Sequence, residues 1–80
     1  MAWVPKEITL APNPTDGVIH ITASNAMMSV EVYDQLGRKV ISRKADGNGA
    51  EIDLGDLPSG VYTVGVLTDS GITVRKIIRR

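Results

Sequence analysis

Val30-Glu31-Val32-Tyr33-Asp34-Gln35-Leu36-Gly37-Arg38-Lys39-Val40-Ile41-Ser42-Arg43 is the stretch that decides the fold. Val30 and Val32 alternate with Ser29, Glu31 and Tyr33, and Val40 and Ser42 alternate with Lys39, Ile41 and Arg43, so both flanks carry the two-residue period of a strand. Between them Asp34 stands first and Gly37 fourth in a four-residue turn, positions that suit a type I turn. Two alternating runs around such a turn predict a β-hairpin.

The same period recurs on both sides, and no window keeps the i, i+3, i+4, i+7 spacing of a helix. Ile8 and Leu10 alternate until Ala11-Pro12-Asn13-Pro14, where prolines cannot donate to a ladder. After a turn through Thr15-Asp16-Gly17, Ile19 and Ile21 oppose Val18, His20 and Thr22, and Ala23-Ser24-Asn25 then breaks the pattern. Asp46-Gly47-Asn48-Gly49 predicts a loop, Ile52 and Leu54 a further strand, and Gly55, Pro58 and Gly60 a corner before Val61–Leu67. Beyond Asp69-Ser70-Gly71 the last strand sets Ile72, Val74, Lys76 and Ile78 against Thr73, Arg75, Ile77 and Arg79. The expectation is an all-β, immunoglobulin-like antiparallel sandwich of about seven short strands. Its core is expected from Ile8, Leu10, Ile19, Ile21, Val30, Val32, Val40, Ile52, Leu54, Leu57, Tyr62, Val64, Val66, Ile72 and Val74.

Eighty residues allow a single core, and with no Cys that core holds without disulfides or thiolate metal sites. There is no Phe, and Trp3, Tyr33 and Tyr62 are the aromatic residues, so packing is aliphatic. Residues 1–6 are expected to be an extension, a linker or an expression remnant, and residues 7–80 the domain. No apolar run is long enough to span a bilayer and no segment resembles a signal peptide. Nine basic residues balance nine acidic ones, yet Arg75, Lys76, Arg79 and Arg80 place four positive charges in the last six positions. Such a tail is either an electrostatic handle or a strand end blunted against edge pairing.

Catalysis and cofactor binding find little support. His20 stands alone without a Cys or second His at metal-ligand spacing, and the scattered Ser and Thr lack a base and an orienting acid. Asp46, Glu51, Asp53 and Asp56 match no calcium-loop template, so turn chemistry accounts for them. Arg38, Lys39, Arg43 and Lys44 lack the interleaved aromatics of a nucleic-acid surface. Tyr62 after Leu57-Pro58-Ser59-Gly60 resembles the tyrosine corner of Greek-key sandwiches, a structural role. Lys76 shares the parity expected to be buried, which calls for a snorkelling stem, a bulge or presentation for recognition.

Taken together, Pro12-Asn13-Pro14 with Gly17, Val30–Asp34 with Gly37, Ile52-Asp53-Leu54 through Gly60-Val61-Tyr62, and Lys76-Ile77-Ile78 resemble the type A C-terminal sorting domain of the type IX (Por) secretion system. The resemblance implies a secretion signal that targets a larger exported protein, attached upstream, to the outer-membrane translocon, with surface attachment or release afterwards. It implies passage through the periplasm to the cell surface, outer membrane or medium, and removal of the domain by a sortase-like signal peptidase. The module itself would be no enzyme, although its parent can be one, such as a protease. Gly60 and Tyr62 match the family's Gly-x-Tyr motif and Lys76 its terminal Lys, so Gly60, Tyr62, Lys76, Ile77 and Ile78 are the expected recognition residues. Arg75, Arg79 and Arg80 form the electrostatic tail, and Pro12, Asn13, Pro14, Gly17, Asp34 and Gly37 the motif turns. No metal, cofactor or nucleic acid is expected. The alternative is an immunoglobulin-like adhesion or carbohydrate-binding module of an extracellular enzyme. A third reading is a dimer formed through edge strands.

Overall fold

The computed structural model describes residues 8–80. The expected extension over residues 1–6, with Trp3, lies outside the described residues. Among the described residues five strands follow one another: β1 (Ile8–Ala11), β2 (Val18–Tyr33), β3 (Lys39–Asp53), β4 (Gly60–Thr68) and β5 (Gly71–Arg79). All belong to one antiparallel sheet that curls around its own inner face. The first half of β2 lies between β1 and the end of β3, whereas its second half lies between the start of β3 and β4. β5 then pairs with β4 along its whole length.

The fold is all-β and antiparallel as the period predicts, but five strands replace the expected seven-stranded immunoglobulin-like sandwich. Each of the seven alternating segments is present. Ala23-Ser24-Asn25 and Asp46-Gly47-Asn48-Gly49, read as breaks, instead lie inside β2 and β3. They face each other, since the ladder shifts register between the pairs Thr22–Gly49 and Met27–Gly47. Such bulges and glycines bend a ladder without ending it, so both long strands turn at the same place. The Asn48 Nδ2 donates to the Ala23 carbonyl at 2.9 Å across the bend.

The inner face buries Ile19, Ile21, Val30, Val32, Leu54, Val64, Val66 and Ile77 almost completely. Burying each such side chain is worth roughly 1.5–3 kcal/mol, and this aliphatic cluster stands in for the missing Phe. Leu10, Val40 and Leu57 pack at the rim, half-buried.

Two expected core residues are not in the core. Ile72 is 70% and Val74 56% exposed. The cause is register: Tyr62 opposes Ile77, Val64 opposes Arg75 and Val66 opposes Thr73. Residues directly opposite in an antiparallel ladder share a face. Because β4 turns Tyr62, Val64 and Val66 inward, β5 must bury Ile77 and present Ile72, Val74, Lys76 and Ile78 outward. Lys76 therefore needs no snorkelling stem or bulge.

Candidate functional site

The Pro12-Asn13-Pro14-Thr15 turn lies along the outer edge of β5. Asn13 Nδ2 donates to the Lys76 carbonyl at 3.2 Å, and the Ile78 amide donates to Asn13 Oδ1 at 3.0 Å. One side-chain amide thus supplies the donor and acceptor that a neighbouring strand would offer. Thr15 continues the pairing with its main chain, donating to the Ile78 carbonyl at 2.8 Å and accepting from the Arg80 amide at 2.9 Å. The Thr15 side chain, 1% exposed, donates to the Val18 carbonyl at 2.8 Å and accepts from the Gly17 amide at 3.0 Å. Residues near one end of the chain therefore hold the last strand at the other.

Arg79 fixes the same strand from a second side. Its Nε and Nη2 donate to the Leu54 and Gly55 carbonyls, each at 3.1 Å. The Leu54 amide in turn donates to the Gly17 carbonyl at 2.9 Å. At the neighbouring corner, Tyr62 buries its ring and donates its hydroxyl to the Pro58 carbonyl at 2.5 Å, four residues back. Gly60 enters β4 with φ of 156°, beside the Gln35 amide.

The outward face of the β4–β5 hairpin is open. Ile72, Val74 and Ile78 (46% exposed) form an apolar strip along β5, with Lys76 between the last two. Gly65, opposite Val74, leaves a dent in this face, a cavity of about 220 Å³ among Glu31, Tyr33, Thr63, Leu67, Ile72 and Val74. Thr63 and Gly65 alternate with the buried Tyr62, Val64 and Val66, point outward and so cost the core nothing. Among the described residues the Lys76 ammonium makes no ion pair. Aligned exposed apolar residues on one strand mark an interaction surface more than scattered ones do.

Electrostatics are organised at the β2–β3 hairpin. Asp34 Oδ1 accepts from the Leu36 and Arg38 amides and its Oδ2 from Arg38 Nε, while Gly37, at φ 80°, donates to the Asp34 carbonyl. These contacts, led by the Arg38 amide, hold the Asp34 carboxyl below its usual range. Glu31 is lowered by Lys39, 2.7 Å away, and by the Tyr33 hydroxyl, and Lys39 is raised in return.

The expected recognition residues thus divide. Lys76 and Ile78 are displayed, whereas Gly60, Tyr62 and Ile77 build the hairpin that displays them. Within the tail, Arg79 is committed to backbone carbonyls, Arg80 lies 3.9 Å from Asp16, and Arg75 is exposed with Nη1 on the Val74 carbonyl. The motif turns at Pro12–Pro14 and Gly17 clasp β5, and Asp34 with Gly37 closes the β2–β3 hairpin. Thr15, Ile72 and Val74 join the candidate site only in the structure. Thr15 looked like an ordinary turn residue; register alone reveals the other two.

Compared with protein-family models, residues 9–80 match the secretion system C-terminal sorting domain. No curated protein matches the chain.

Proposed function

This chain belongs to the family of secretion system C-terminal sorting domains, type IX sorting signals, and from that premise we propose that it delivers an upstream cargo to the outer-membrane translocon. A sorting-signal domain is not itself catalytic, and its type implies export to the cell surface or extracellular space. Transit through the periplasm, and release of the domain by a sortase-like peptidase, complete the proposed route. The observation that carries the reading is the face of β5: a strand clasped at its edge by Asn13 and Thr15 yet turning Ile72, Val74, Lys76 and Ile78 to solvent. A strand so firmly held, and so apolar outward, is suited to be read by another protein. No observation favours the adhesion or carbohydrate-binding alternative.

The test is a gain of function. Residues 8–80 are fused behind a reporter that already reaches the periplasm, in cells with and without a working type IX translocon. The reporter should appear at the surface or in the medium only in the competent cells. Retention in the periplasm of both strains would overturn the proposal.

A further inference from the structure

We propose that β3 is a homotypic docking edge, along which two copies of this chain pair antiparallel. Among the described residues β3 pairs with β2 alone, so its far edge is open over a strand of 15 residues. Its charges are segregated along that length. Lys39, Arg43 and Lys44 occupy the first half, and Asp46, Glu51 and Asp53 the second.

Little of this charge is neutralised within the molecule. Lys39 meets Glu31, and Glu51 lies 3.4 Å from His20, but among the described residues Arg43, Lys44 and Asp46 form no ion pair. Charged edges usually keep strands apart. Here, however, the signs are separated, so an antiparallel copy meets opposite charge in both halves at once, while a parallel, in-register copy meets like charge throughout.

The faces also agree. Lys44 opposes Ser29 and Glu51 opposes His20 in the ladder with β2; Lys44, Glu51 and His20 are exposed on the outer side of the sheet, and Ser29 is half-buried there. A register that sets Lys44 of one copy against Glu51 of the other also sets Ser42 against Asp53. It places Gly47 and Asn48 about the two-fold axis, where the bend and the absent Gly47 side chain permit close approach. This pairing uses a different strand from the face proposed for sorting.

Sedimentation velocity of the 80-residue chain, from about 10 to about 500 µM at low salt, reads the association directly. A monomer–dimer equilibrium is expected, weakened about tenfold or more near 1 M salt, where the Debye length falls to about 3 Å. Arg43→Glu with Lys44→Glu, and separately Asp46→Lys with Glu51→Lys, should each give a folded monomer by circular dichroism. An equimolar mixture of the two should restore the dimer. A wild-type chain that stays monomeric throughout overturns the proposal, as does a mixture that fails to associate when both variants are folded. Either result leaves the sorting role standing, because no export is measured.

Discussion

Tyr62 serves the fold through two separate groups, a ring in the core and a hydroxyl on the Pro58 carbonyl. Tyr62→Phe removes only the hydrogen bond and should cost about 0.5–1.5 kcal/mol, whereas Tyr62→Ala also empties the ring site and should cost about 3–5 kcal/mol. Denaturant midpoints measure both, and equal losses would mean the ring contributes nothing. Asp34 and Glu31 make a pH prediction. Both have folded-state pKa values below their usual range, so their stabilisation is complete above the ordinary carboxylate range and is lost as pH falls through the lowered folded values. Thermal midpoints should therefore decline below about pH 4. Asn at position 34 keeps an oxygen for the Leu36 and Arg38 amides but loses the charge that attracts Arg38, so Asp34→Asn should flatten that acid decline. At neutral pH it should lower stability by about as much as the wild type loses in acid, an amount kept small because Arg38 is exposed even though the Asp34 side chain is largely shielded.

The last strand shows how far alternation carries an argument. β5 has one buried aliphatic residue, Ile77, and three exposed ones, Ile72, Val74 and Ile78. Period two separates the two sets correctly. Counting apolar residues then picks the wrong set as inward, because the outward face of this strand is richer in apolar residues than its core face. The deciding information is the pairing with β4, which is non-local. Ile77→Ala should cost about 2–5 kcal/mol, while Ile72→Ala should stay within about 0.5 kcal/mol. Urea unfolding of both variants checks the assignment, and the reverse order of losses would restore the parity read from composition. For β2 and β3 the alternating segments and the Asp34–Gly37 turn were legible in full. That two loops were instead matched bends was not, since a bulge looks like a turn until its partner strand is known. The tyrosine corner was visible because its parts are four residues apart. The Asn13 clasp joins residues 63 and 65 positions apart, and no local pattern announces it.

At the scale of the whole molecule, the clasp makes the displayed strand depend on the opposite end of the domain. Asn13→Ala should cost about 1–2 kcal/mol for two exposed hydrogen bonds and speed amide exchange at Ile78 more than at Val64, which lies in the middle of the sheet. Uniform acceleration at both amides would mean that Asn13 acts on global stability alone. In the proposed function one set of residues builds the hairpin and another is recognised, and the two sets can be separated by experiment. Replacing Ile72 and Val74 by Ser and Lys76 by Gln alters only exposed side chains, so the domain should keep its denaturant midpoint within about 1 kcal/mol of wild type. The decisive measurement is the distribution of a fused cargo between periplasm and cell surface for this folded triple variant. The cargo should accumulate in the periplasm, and its delivery to the surface at the wild-type level would contradict the account.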